Sequence, residues 1–171
     1  MGHVHPCFGA RPVNYYLLLK TLHVLSAAVL LGTGAGIAFF TWFGYRLALR
    51  NGSIESLRNT LRLTVLGDWV FTSVAVLAQP LTGFLLMREA GWPLSSAWFA
   101  WVATLFVATG LCWLPVVWIQ YRLRNYALHS TSTGQLPASF HREFLIWFAL
   151  GLPAFAMVLV LYWLMVAKPG L

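Results

Sequence analysis

The chain of 171 residues is 60% hydrophobic and only 9% charged, with a mean hydropathy of +0.74. A water-soluble domain carries roughly 25% charged residues, so this composition excludes a soluble globular fold and implies an all-α integral membrane protein of a single domain, residues 1–171. The formal charge of +7 comes from 11 Lys and Arg against 4 Asp and Glu; the basic residues flank apolar runs, which points to a membrane surface and not to nucleic acid.

The N-terminal stretch MGHVHPCFGARP has no basic residue before Arg11 and no apolar centre, unlike a cleavable signal. Pro6 departs from the myristoylation pattern. His3, His5 and Cys7 alternate, so an extended tail would present them on one side as a candidate copper or zinc site. Cys112 falls in an apolar run far from Cys7, and no disulfide framework is implied.

Four runs are long enough for the roughly 20 residues that a bilayer core requires: residues 15–43, 66–88, 98–121 and 144–167. The first is expected to carry Lys20 and His23 into the membrane. Ala28, Gly32 and Gly36, four apart, give it a small-residue face suited to close helix packing. Between the first two spans, residues 53–63 (SIESLRNTLRL) read as a short amphipathic helix on the inner membrane surface. Asp68, at the start of the second span, is expected to cap that helix or to pair with Arg62 or another loop arginine. Pro80, Pro115 and Pro153 each interrupt a span. Tyr15, Tyr16, Trp42, Trp69, Trp98, Trp101, Tyr121 and Trp163 stand near span ends, as in an aromatic belt.

The loops set the orientation. Arg46, Arg50, Arg58 and Arg62 lie in the first loop and Arg122, Arg124 and Arg142 in the third, against Arg11, Arg88 and Lys168 on the other side. The positive-inside rule then puts both termini outside.

Depth can be counted from that outer side at about 1.5 Å per residue. His23 lies about 12 Å in and Lys20 about 7–8 Å, three residues apart on one helix face. The same count brings Gln79, Thr82, Thr104, Met157 and Tyr162 to the outer half. Polar side chains in a bundle turn inward, so Lys20, His23, Gln79, Thr82, Thr104 and Tyr162 are expected to form one polar cluster near the outer leaflet. Lys20 could instead snorkel to the interface, and His23 could serve helix packing by a hydrogen bond to Gln79. An ionisable residue within a span is a functional candidate by default, and imidazole is the commonest metal ligand.

The stretches LLLKTLHVLSAAVLLGTG, DWVFT, QPLTG, GLCWLPVVWIQYRLR and YWLMVAKP cover nearly the whole chain, about 15 to 169. They resemble an uncharacterised family of bacterial four-helix predicted integral membrane proteins, which implies a multi-pass protein of the bacterial inner membrane. The Lys-x-x-His step at Lys20 and His23 is more distantly similar to HemJ-type protoporphyrinogen oxidases, and the helical framework to CopD-like copper-handling proteins. The third span has no His or Lys to match the HemJ-type pattern.

That likeness implies association with haem b. His23 would ligate the iron, Lys20 would pair with a propionate, Gln79, Thr82 and Tyr162 would support the group, and Met157 or a second His23 from a homodimer would supply another ligand. Two other readings stand beside it. One is a non-enzymatic subunit or assembly factor of a larger membrane complex. The other is copper or small-solute handling through His3, His5, Cys7, His23 and Met157.

Overall fold

The computed structural model describes residues 13–52, 54–130 and 136–168. The chain forms α1 (Val13–Asn51), α2 (Ile54–Gly67), a π-helical turn (Asp68–Thr72), α3 (Ser73–Ala90), α4 (Ala97–His129) and α5 (Ala138–Ala167). α2, the π turn and α3 run on without a break, giving four rods, each long and apolar enough to cross a membrane. The protein is therefore a multi-pass membrane protein in contact with the lipid bilayer.

Each expected span falls inside one rod, and the rods outrun the apolar runs. α1 continues eight residues past 43, to Asn51. Hydropathy marks the hydrocarbon core, whereas helix ends are set by backbone signals. α1 stops at Gly52, whose φ of 66° is left-handed and whose N–H bonds the Ala48 carbonyl at 2.9 Å. α3 stops at Gly91, φ 68°, with Trp92 N–H returning to the Met87 carbonyl at 3.0 Å. This is the glycine cap that satisfies the last carbonyls of a helix. Ser96 begins α4 by accepting the Phe99 N–H.

Residues 54–63 are helical as expected, but the helix does not lie apart on a surface. Its apolar face, Leu57, Leu61, Thr64 and Val65, is buried against α1 and α4, and the helix continues straight into the second span. Gly67 keeps an ordinary right-handed φ of −61°, so nothing separates the two segments. α1 comes close to α2 at Gly44, where a Cβ would stand 3.2 Å from Thr60 Oγ1. Thr41 and Thr64 share a hydrogen bond of 2.8 Å along the same contact.

The main core sits at the arginine-rich end. Leu57, Leu61, Leu123, Phe140 and Phe144 are fully buried there, with Ala127 and Trp147 beside them. Tyr45 stacks on Phe144 with ring centroids 4.0 Å apart, and Trp42 packs on Phe148 at 4.5 Å. Within lipid no water is released by such contacts, so close packing and polar pairing hold the helices together.

A smaller cluster of Met87, Trp98 and Leu164 joins the opposite ends of α3, α4 and α5. Trp98 donates its indole N–H to the Leu164 carbonyl at 2.9 Å. Trp42 and Trp98 are thus packing residues and not members of a lipid-facing belt, while Trp69, Trp101 and Trp163 are exposed. The Lys168 ammonium sits 4.0 Å from the centre of the Trp92 ring.

Between these clusters α1, α4 and α5 bury no described residue fully. No described residue of α1 is buried between Leu19 and Thr41, none of α4 between Trp98 and Val116, and none of α5 between Trp147 and Leu164. A Cβ added at Gly32 or Gly36 would meet no described atom within 4 Å. The small-residue face of α1 therefore makes no close helix contact within the described chain. α1 packs on α3 and α4 on α5, so the mid-membrane region consists of two helical hairpins.

Candidate functional site

His23 lies half-buried where α1 crosses α3. Its Nδ1 is 2.8 Å from Thr82 Oγ1. The Thr82 hydroxyl is itself committed to the helix backbone, 2.6 Å from the Ala78 carbonyl and 3.3 Å from that of Gln79. A hydroxyl has one proton to give. With that proton on a carbonyl, Thr82 Oγ1 accepts, so His23 carries its proton on Nδ1. The Nε2 lone pair is left free.

Gln79 reaches the same turn of α1. Its amide N–H groups donate to the His23 carbonyl at 2.7 Å and to Ser26 Oγ at 2.7 Å. Ser26 in turn donates to the His23 carbonyl at 3.0 Å. Gln79 and His23 thus meet, but through the histidine's backbone and not its ring. Pro80 follows directly, and its missing N–H interrupts the helical bonding that would otherwise hold this part of α3 rigid. Gly83 completes the seat: a Cβ there would lie 3.2 Å from His23 Cε1, so the imidazole rests against the α3 backbone.

Of the residues assigned to one cluster, the α1–α3 hairpin gathers His23, Gln79 and Thr82, and adds Ser26. Ser26 was within reach of sequence reasoning, being three residues beyond His23 on the same face. Lys20 is exposed, with its ammonium 5.9 Å from the Tyr16 ring centre, consistent with a chain reaching outward. Met157 and Tyr162 are half-buried on α5, in the other hairpin, and Tyr162 Oη has no hydrogen-bond partner. Thr104, on α4, is exposed. No hydrogen bond joins these three to the His23 group. Depth along a span does not say which way a side chain faces. His3, His5 and Cys7 lie outside the described residues. Among the described residues no three His, Cys, Asp or Glu side chains gather as a metal site.

Asp68 departs from its expected role. The helix runs through it, so it has no free N-terminus to cap, and the ion pairs among the described residues are Arg58–Glu55 and Arg122–Glu143. Asp68 is buried beside Thr72, Trp113 and Gln120. Two further polar contacts at the arginine-rich end join distant segments. Tyr45 Oη pairs with His141 Nδ1 at 2.7 Å. Buried Glu143 takes Arg122 at 2.5 Å and the Tyr126 hydroxyl at 3.2 Å.

No curated protein of known function matches the chain, and no solved structure does. The model of the predicted integral membrane protein family DUF2269 matches residues 17–169. With four apolar rods and a match over nearly its whole length, the chain belongs to the predicted integral membrane protein family DUF2269.

Proposed function

We propose that the protein is a haem b-associated redox protein of the bacterial inner membrane, with His23 as an axial ligand to the iron. The observation that carries this reading is the imidazole held at Thr82, whose Oγ1 lies 2.8 Å from Nδ1 and 2.6 Å from the Ala78 carbonyl. With Nδ1–H on that oxygen, the Nε2 lone pair is left for a ligand. Histidines that bind metals are oriented in this way, by giving the other ring N–H to a fixed acceptor. Gly83 leaves the ring room against α3.

The residues of the hairpin fit one axial position. Haem, when bound, supplies a one-electron carrier within the membrane. Gln79 and Ser26 fix the backbone of the ligand turn, and Thr82 fixes its tautomer. Lys20, one turn before His23 on α1, would pair with a propionate. Met157, or His23 of a second copy, would supply another ligand.

The test is an oxidised and a dithionite-reduced visible spectrum of the protein purified in mild detergent after expression with added haem. A Soret band with reduced α and β bands, lost in His23→Ala while the helical circular dichroism is kept, supports the reading. A colourless, folded protein refutes it.

A second reading, a subunit or assembly factor of a larger membrane complex, is favoured by the uncovered glycine face of α1. Small residues four apart suit a close helix partner. It predicts that Gly32→Leu abolishes co-purification of that partner without unfolding the chain.

A further inference from the structure

A second site lies at the arginine-rich end, independent of His23. A cavity of about 270 Å³ runs between the π-helical turn and α4, walled by Trp69, Trp113, Leu114, Val117, Trp118 and Tyr121. Its lining is almost wholly apolar. Asp68 borders it from within, but that residue is only 5% exposed and its carboxyl is held by Thr72, Gln120 and Trp113. Trp69, Leu114 and Trp118 are strongly exposed, so the cavity opens sideways toward the bilayer as a groove. From Trp113 to Tyr121 it follows α4 for about 12 Å toward the arginine-rich end. Pockets for drug-sized molecules run from roughly 300 to 1,000 Å³, so this volume suits a single hydrocarbon chain and not a whole lipid.

Two arginines stand at the head of the groove, one on each wall. Trp69 donates its indole N–H to the Tyr121 hydroxyl and joins the walls at this end. On α4, Arg124 follows Val117 by seven residues and Tyr121 by three, which keeps it on the groove face. Its guanidinium lies 4.9 Å from the centre of the Tyr121 ring. On the other wall, Arg62 precedes Trp69 by seven residues, two turns along the same face of the rod. Arg58, one turn further, bonds the Ala127 carbonyl of α4 at 3.3 Å. The contacts of Arg58 and Trp69 with α4 bracket Arg62 and bring it level with Arg124. Neither Arg62 nor Arg124 has a carboxylate partner among the described residues, where Glu55 is taken by Arg58 and Glu143 by Arg122. Arg46 and Arg50 belong to α1, which meets α2 at Thr60 and Thr64, on another face from Arg62.

An apolar groove open to lipid and headed by two unpaired guanidinium groups is complementary to an anionic amphiphile. We propose that it holds one anionic phospholipid, with the phosphate at Arg62 and Arg124 and one acyl chain along the aromatic walls. Guanidinium groups present paired N–H donors to phosphate oxygens. The indole and phenol between the two levels are side chains that favour the boundary between head groups and hydrocarbon. A zwitterionic lipid carries its own cation, which competes with the arginines for the phosphate. The groove therefore prefers phosphatidylglycerol to phosphatidylcholine.

The test uses the full chain in phosphatidylcholine nanodiscs doped with a lipid brominated on its acyl chains, which quenches nearby tryptophans. At equal mole fraction, brominated phosphatidylglycerol should quench more than brominated phosphatidylcholine, and the excess should saturate. One arginine beside an anionic lipid surface is worth about fivefold in affinity, so Arg62→Gln and Arg124→Gln should each weaken the excess binding by about that factor. Neither side chain bonds another helix, so both variants should keep the parent's circular dichroism. Arg50→Gln removes the same charge from α1 and should leave the affinity unchanged. Trp118→Phe keeps an aromatic wall but loses a reporter, so it should reduce the excess quenching at the same affinity. The proposal is overturned if the two lipids quench equally, or if Arg50→Gln weakens binding as much as Arg62→Gln does, the mark of diffuse surface charge. It is overturned too if Trp118→Phe leaves the excess untouched, which would put the chain outside the groove.

Discussion

Replacing Thr82 by Val tests the basis of the His23 site directly. The two side chains have nearly the same shape, but Val has no oxygen. The structure gives the hydroxyl two bonds in series, from His23 Nδ1 at 2.8 Å and to the Ala78 carbonyl at 2.6 Å. The Ala78 carbonyl belongs to a helix and loses only an extra donor; His23 Nδ1–H loses its acceptor. Hydrogen bonds between membrane helices contribute about 0.6 kcal/mol on average and up to about 1.7. An N–H left unpaired at a packed crossing belongs in the upper part of that range, so the expected cost is about 1 kcal/mol, or about fivefold in the unfolding equilibrium. Stability can be measured by unfolding in mixed micelles. The ring can be followed by ¹⁵N NMR of labelled histidine: the parent should show the Nδ1–H form at His23, and Thr82→Val a mixture of tautomers. Thr82→Ser, which retains the oxygen, should behave as the parent. If the parent carries its proton on Nε2, or if Thr82→Val leaves the tautomer untouched, the deduction that Nε2 is free for a ligand is wrong.

Other outcomes follow from the polar contacts at the two ends. Glu143 has a side-chain exposure of 6% and Arg122 one of 49%, so Arg122→Ala leaves a buried carboxyl with only Tyr126 beside it and should lower the unfolding midpoint. Pairing that change with Glu143→Gln should recover part of the loss, and strictly additive costs in a double-mutant cycle would show that the two groups do not interact. Trp98→Phe removes the donor to the Leu164 carbonyl, for an expected loss of about 0.5–1.5 kcal/mol; an unchanged unfolding midpoint would mean that the bond is not formed in the bilayer. Gly83→Ala sets a methyl 3.2 Å from His23 Cε1 and should shift the His23 ring resonances without loss of helix, whereas unchanged shifts would show the imidazole to be seated elsewhere.

Much of the membrane architecture could be read from composition, because in lipid the apolar run is itself the structural requirement. The four spans follow from length, and depth brings His23 level with Gln79 and Thr82, since neighbouring antiparallel helices bring equal depths together. Rotation about the helix axis was not legible. A soluble helix shows its buried face as a periodic pattern, but a helix apolar all round erases it. That is why depth groups Tyr162 and Thr104 with His23, although no hydrogen bond links them to it. It also explains Trp42 and Trp98, whose positions near span ends suggest an interface belt. Asp68 departs from its expected role for a different reason: the apolar run begins beside it, so a residue in mid-helix reads as a cap. The signal for its true setting, Trp113 and Gln120 on α4, lies about 50 residues away and depends on which faces of two helices meet.

The two candidate sites have different structural support. The Asp68 group lies at the end where α1, α2, α4 and α5 share an aromatic core, so its geometry is set by several helices at once. The His23 group depends on a single helix pair, α1 with α3, in a part of the membrane where α1 has no buried residue between Leu19 and Thr41. A cofactor or partner at His23 would therefore gain from contacts that the chain does not make with itself, whereas the Asp68 group is already held by its neighbours Thr72, Gln120 and Trp113. Binding at His23 should consequently order the hairpins and raise the unfolding midpoint strongly, by the mass-action stabilisation of the occupied fold. The core at the arginine-rich end anchors both, since it is the only large packed region among the described residues that touches each hairpin.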